Sequence, residues 1–182
     1  TSFPVTTSLG NIDGDGINDT ITNTGITNGL GAMNISGNII VLRTIERAYD
    51  GIDEDLNNYG DKDDVILRYY NINNGTLTNT NISIGYYSAF SISGNIIAIL
   101  TNEGGWGGTD QDLNDDGDKA DTILLYYNLS SNKLINTKIN IGGRFSDISI
   151  SDNIIATTST ETSIGNGLDE DLNNDGDKDD TI

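Results

Sequence analysis

The stretch whose reading decides the fold is Asp169-Glu-Asp-Leu-Asn-Asn-Asp-Gly-Asp-Lys-Asp-Asp180, because the chain writes nearly the same residues twice before. The earlier copies are Asp53-Glu-Asp-Leu-Asn-Asn-Tyr-Gly-Asp-Lys-Asp-Asp64 and Asp110-Gln-Asp-Leu-Asn-Asp-Asp-Gly-Asp-Lys-Ala-Asp121. Carboxylates and amide oxygens alternate around a glycine, which is what a hard, oxygen-seeking cation needs from one short loop. A merely hydrophilic turn would not be repeated this closely.

Outward from the loops the repeat continues. After the first two copies come Val65-Ile-Leu-Arg-Tyr-Tyr-Asn-Ile72 and Thr122-Ile-Leu-Leu-Tyr-Tyr-Asn-Leu129, then a turn and a more polar Thr/Asn/Lys segment. Ahead of the loops lie Ala32-Met-Asn-Ile-Ser-Gly-Asn-Ile-Ile-Val-Leu42, Ala89-Phe-Ser-Ile-Ser-Gly-Asn-Ile-Ile-Ala-Ile-Leu100 and Asp147-Ile-Ser-Ile-Ser-Asp-Asn-Ile-Ile-Ala156. Glycine and asparagine accept the positive φ of a two-residue hairpin turn, so Gly94-Asn95 marks one. The apolar run after it suits a strand covered on both faces, whereas the alternating, charged segment suits an exposed edge. Each unit of about 57–59 residues therefore predicts four antiparallel strands, typified by residues 89–93, 95–102, 65–72 and 76–84.

The expected architecture is all-β, one domain over residues 1–182. Residues 11–30 would hold a short acidic loop and a lone outer strand (20–27), residues 31–87 and 88–144 two whole units, and 145–182 an incomplete third. Residues 1–10 fit no repeat position.

Composition narrows the function. The net charge is −19, but most of the 28 acids sit in the loops, so the charge is gathered for cations rather than spread as a polyanionic tail. A nucleic-acid phosphate backbone would meet mostly carboxylates, which argues against that partner. Without cysteine or histidine, disulfides, the usual zinc sites and histidine acid–base catalysis are excluded. No apolar run approaches the ~18 residues of a membrane span, and no signal segment opens the chain; a secreted protein with its signal removed and an excised fragment would both read this way.

The hairpins, the acidic loops and Asp121-Thr-Ile-Leu-Leu-Tyr-Tyr127 resemble β-propeller repeats of the TolB/WD40-like kind, which occur in surface and secreted proteins of archaea and bacteria. The loop Asn11-Ile-Asp-Gly-Asp-Gly-Ile-Asn-Asp19 resembles the calcium loops of FG-GAP repeats. The resemblance covers roughly residues 11–182 and implies blade-like sheets. Propellers have four to eight blades, and this chain holds about three, so either it belongs to a larger ring or chains complete one another by strand exchange.

Calcium is the expected ion, since flexible sets of six to eight oxygens suit it better than magnesium. The short loop offers Asn11, Asp13, Asp15 and Asp19 with the backbone of Ile17. The long loops offer Asp53, Asp55, Asn57, Asp61 and Asp64; Asp110, Asp112, Asn114, Asp116, Asp118 and Asp121; and Asp169, Asp171, Asn173, Asp175, Asp177 and Asp180. One register starts at Asp53, Asp110 and Asp169. A second starts two residues later and places Gly60, Gly117 and Gly176 at the sixth position, where the turn needs glycine; it makes Tyr59 and Ala120 lost ligands. Glu46, Glu103 and Glu161, at the strand ends, are either further ligands or solvated.

These features predict a non-enzymatic, extracellular, calcium-rigidified structural or adhesion protein of a cell surface, with head-to-tail self-association through the lone strand or a cell-surface partner. Alternatives are a calcium-dependent lectin, favoured by Trp106, and a polysaccharide lyase or hydrolase using Arg68, Arg144 or Asp147. Asn18, Asn34, Asn74, Asn81 and Asn128 begin Asn-x-Ser/Thr sequons that permit glycosylation.

Overall fold

The computed structural model describes residues 5–26, 32–47, 52–104, 109–142, 147–161 and 171–182. Among them there are twelve strands and no helix: β1 (Val5–Gly10), β2 (Asp19–Asn23), β3 (Met33–Ser36), β4 (Ile39–Ile45), β5 (Val65–Asn71), β6 (Thr76–Ser83), β7 (Ala89–Ser93), β8 (Ile96–Asn102), β9 (Thr122–Asn128), β10 (Lys133–Asn140), β11 (Ile148–Ser151) and β12 (Ile154–Thr157). They form two four-stranded antiparallel meanders, β3-β4-β5-β6 and β7-β8-β9-β10, and two hairpins, β1-β2 and β11-β12. Among the described residues no sheet closes into a barrel.

Local chemistry places the strands. The turns at Gly37, Gly94 and Asp152 take φ of 53°, 53° and 50°, open to glycine and tolerated by aspartate. β8 is buried along nearly its whole length, whereas β10 alternates between exposed and half-buried positions. This is the contrast between a covered central strand and an outer one.

The two meanders stack face to face. Val41, Ile45, Val65 and Leu67 of the first pack with Phe90, Ile92, Ile97, Ile99, Ile123 and Leu125 of the second. Fully burying such side chains contributes about 1.5–3 kcal/mol each. The first strand of each unit lies against that of the next, β3 by β7 and β7 by β11. Where the chain crosses between meanders, the Arg43 guanidinium sits 5.5 Å from the Tyr86 ring and donates to the Tyr86 carbonyl. Burial lowers the Arg43 pKa.

Two features depart from the expected layout. β2 is not a lone strand: it pairs along its length with β1, from Val5 opposite Asn23 to Gly10 opposite Asp19. The short acidic loop thus joins two paired strands, as the long loops join β4 to β5 and β8 to β9. The outer strands β6 and β10 each carry a bulge, at Asn79–Ile82 and Asn136–Ile139, with Asn81 and Lys138 at φ of 59° and 60°. Near the end of the described chain, Thr160 bridges Thr181, with Ser159 and Ile182 exchanging backbone hydrogen bonds.

Candidate metal centres

The first two long loops leave a buried strand end and return to it, and the third closes at the Thr160–Thr181 bridge. The backbone N–H groups of Glu46, Glu103 and Glu161 donate to the carbonyls of Asp64, Asp121 and Asp180 at 3.0, 2.9 and 3.0 Å. This pairing clamps the two ends of the loop together. It also brings the glutamate carboxylate beneath the loop, where all three side chains are 0 % exposed.

Those carboxylates organise the loops in the same way three times. Glu46 Oε1 accepts from Leu56 N–H at 2.5 Å and Oε2 from Asp64 N–H at 3.2 Å. Glu103 accepts from Leu113 at 2.5 Å and Asp121 at 3.1 Å. Glu161 accepts from Leu172 at 2.7 Å and Asp180 at 3.3 Å. A carboxylate has about four lone-pair sites, so each glutamate keeps acceptor capacity after these bonds.

Within each loop the side chains bond locally. Asp55, Asp112 and Asp171 each accept from the glycine five residues on, Gly60, Gly117 and Gly176, at 3.0, 3.1 and 3.1 Å. Those glycines have φ of 94°, 104° and 102°, a region that strains any side-chain-bearing residue. The hydrogen bonding therefore centres each loop on the residue of the second register.

The outcome is three groups of carboxylates: Glu46, Asp61 and Asp64; Glu103, Asp118 and Asp121; Glu161, Asp177 and Asp180. In each, one oxygen from every residue lies within 4.8 Å of the others. The donor set is all hard oxygen, and each group can hold a metal ion. In the first loop, Asp55 Oδ1 is shut off from solvent and among the described residues accepts no hydrogen bond, whereas buried polar atoms are ordinarily satisfied.

The closing aspartates are held by neutral donors. Asn57, Asn114 and Asn173 donate to Asp64, Asp121 and Asp180 at 2.6, 2.8 and 2.8 Å. Ser83 of β6 adds a bond to Asp64 at 2.9 Å, and Asn140 of β10 adds one to Asp121. The bulges serve the loops too: Asn79 and Asn136 each donate at 2.6 Å to the carbonyls of Leu56 and Leu113.

Electrostatics follow the crowding. Burial raises the Glu46 pKa against the pull of its backbone donors. Burial also raises that of Asp121, with the Asp116 and Glu103 charges adding to it. The Asn173 amide pulls Asp180 down, but the Asp175 charge and desolvation outweigh it and the net direction is up. Asp116 and Asp175 are lowered, first by the backbone N–H groups of Asp118 and Asp177 and then by Asn114 and Asn173.

The remaining expected ligands fall elsewhere. Asp53 and Asp110 pair with the loop lysines, Lys62 at 2.9 Å and Lys119 at 3.0 Å, and take φ of 60° and 56°. Asp169 lies outside the described residues, as do Trp106 and Arg144. In the short loop, Asn11, Asp13, Asp15 and Asp19 each accept a backbone N–H, from Gly14, Asp15, Ile17 and Ile12. Among the described residues this loop brings together no three-carboxylate group.

Sequence reasoning left open the glutamates that complete each group. It missed the loop-supporting roles of Asn79, Asn136, Ser83 and Asn140. The recurrence of Glu at one position in all three units was the available signal for the glutamates. Comparison with protein-family models, curated proteins and solved structures finds no match for this chain.

Proposed function

We propose that this protein is a non-catalytic structural or adhesion module of a secreted or cell-surface assembly, stiffened by calcium at the three β-strand connections. The observation that supports this most is the triple recurrence of a buried glutamate with two loop aspartates at the same place in successive sheets. Three carboxylates gathered this closely repel one another, and a divalent ion turns that cost into a clamp. Calcium is favoured over magnesium because the groups are dedicated protein cages, and magnesium prefers to keep its waters. Millimolar calcium outside cells matches the affinity range of extracellular modules, which is the argument for the location. The four-stranded meanders stacked by their first strands fit blade-like repeats, as the sequence resemblance implies.

Calorimetric titration with calcium tests the reading. Uptake of three or four ions with a large rise in melting temperature is the expected result. No uptake in millimolar calcium would sink it.

A second reading, a calcium-dependent lectin, is favoured by one feature. A cleft of about 440 Å³ beside β5 is lined by Glu54, Arg68, Tyr70 and Leu77 and by residues 24–26. Arg68 Nε is buried there without a hydrogen-bond partner. Glycan-array binding lost in Arg68→Ala, with calcium uptake unchanged, would favour this reading over the purely structural one.

A further inference from the structure

The two meanders repeat one another strand for strand, and two of their differences fall on the cleft beside β5. Leu125 of β9 pairs with Ile99 and is buried in the core between the meanders. Arg68 holds its place on β5, opposite Leu42. Leu42, Thr44, Ile66 and Tyr70, which share that face of the sheet, are buried. A guanidinium thus stands where the repeat otherwise uses an apolar side chain, in a wall that the chain itself covers. Its Nε is shut off from solvent and has no hydrogen-bond partner among the described residues. Burial lowers the Arg68 pKa, and the charge of Glu54 opposes this. A buried donor on a charged group is costly to leave unpaired.

The second difference concerns Tyr70. In the second meander Tyr127 donates its hydroxyl to Asn132 Oδ1 at 3.3 Å. The matching residues of the first are Tyr70 and Gly75, and glycine has no side chain to accept that bond. Gly75 and Asn132 take φ of 66° and 52°, so the turn is alike and only the acceptor is missing. The Tyr70 hydroxyl lies 3.6 Å from where a Cβ on Gly75 would stand. Arg68 and Tyr70 both line the cleft of about 440 Å³, together with Thr24, Ile26, Glu54 and Leu77. That volume suits a small molecule. Glu54 is exposed and adds an acceptor-only group.

We infer that this cleft binds a sugar acid of the hexuronic type, with the Arg68 guanidinium and the Tyr70 hydroxyl donating to its carboxylate and Glu54 accepting from its ring hydroxyls. A planar carboxylate matches the guanidinium fork. Hydroxyls are needed as well, because Glu54 repels a ligand that offers it acceptors alone. Ile26 and Leu77 supply apolar contact for the C–H face of a sugar ring. One carboxylate is tolerated by a chain of net charge −19, whereas an acidic peptide brings several charges against that field. This narrows the lectin reading, on which it rests, to acidic sugars.

Calorimetric titration of the whole chain with glucuronate, glucose and N-acetylglutamate amide tests this, with saturating calcium matched in cell and syringe. Glucuronate should bind at least about tenfold more tightly than the other two, since glucose lacks the carboxylate and the glutamate derivative the ring hydroxyls. Arg68→Leu installs the residue of the second unit and should weaken glucuronate by about tenfold or more. Gly75→Asn returns an acceptor to Tyr70 and should weaken it severalfold; it carries the test alone should Arg68→Leu fold poorly by circular dichroism. Glucose bound as tightly as glucuronate overturns the inference and leaves the lectin reading standing. Binding of neither sugar overturns both, and N-acetylglutamate amide bound as tightly as glucuronate assigns the cleft to acidic peptides instead. Glucuronate affinity unchanged in either folded variant also overturns the inference. Calcium calorimetry on the same samples reports the metal reading separately.

Discussion

Replacing Glu103 by Gln is the sharpest test of the metal centres, because its effects without and with calcium have different sizes. The substitution keeps shape and removes charge. An amide has one acceptor oxygen, so one of the N–H groups of Leu113 and Asp121, now 2.5 and 3.1 Å from carboxylate oxygens, faces an NH₂ group. Losing one charge-assisted hydrogen bond costs about 1.5–3 kcal/mol. Against this, the repulsion of Glu103 by Asp118 and Asp121 is relieved. At separations within 4.8 Å, solvent screening at the exposed Asp118 leaves roughly 1 kcal/mol per pair. In chelator the two effects nearly offset, leaving a net loss of at most about 1 kcal/mol, or no more than ~2–4 °C in Tm for a domain of this size. In calcium the variant also lacks a ligand. A tenfold loss of affinity at this centre adds ~1.4 kcal/mol, so the Tm gap to the parent at least doubles. Differential scanning calorimetry with and without chelator reads both gaps. Equal gaps in the two conditions would refute the assignment of Glu103 as a ligand and leave it a purely structural acceptor.

Three further outcomes are expected. Gly117→Ala places a Cβ in open space but at φ of 104°, so its cost is backbone strain of about 1–3 kcal/mol; calorimetry should show weaker calcium uptake at one centre only, and unchanged uptake would contradict the loop geometry. In chelator, stability should peak near the ordinary carboxylate pKa of ~4. Glu46, Asp121 and Asp180 have raised folded pKa values, so their contribution is full below the unfolded values and is lost as pH rises through the folded ones. Asp116 and Asp175 are lowered, so theirs is present above the unfolded value and lost as pH falls through the folded one. Thermal melts from about pH 3 to 7 check this, and a steady gain from pH 4 to 7 in chelator would count against it. Asn136→Ala removes the bond to the Leu113 carbonyl at a cost of about 0.5–1.5 kcal/mol; limited proteolysis should then cut the 110–121 loop faster, and an unchanged rate would show that the bulge does not support it.

Short-range chemistry was legible in the residues themselves. The Gly-Asn turns, the doubly covered apolar runs and the alternating outer strands depend on neighbours a few positions apart, and the structure places strands at 89–93, 96–102, 65–71 and 76–83. Repetition made the reading stronger, since the same signals recur in each unit. The loop glycines follow from the same local logic, because a left-handed turn between aspartates admits little else.

What the tertiary structure alone decided involves partners distant in the chain. Glu46 reaches Asp64 across the whole loop because backbone pairing of the strand ends brings the two together. Nothing local tells a buried glutamate from a solvated one. The division of the acids followed from reach: Lys62 and Lys119 draw Asp53 and Asp110 aside, and the groups form from residues nearer the clamp. The pairing of β1 with β2 and the bulges that aim Asn79 and Asn136 at the loops depend on strand register, which no single strand encodes. The amino-acid sequence by itself therefore determined the repeating unit and the oxygen-rich loops, whereas the packing of strands against one another decided which carboxylates meet.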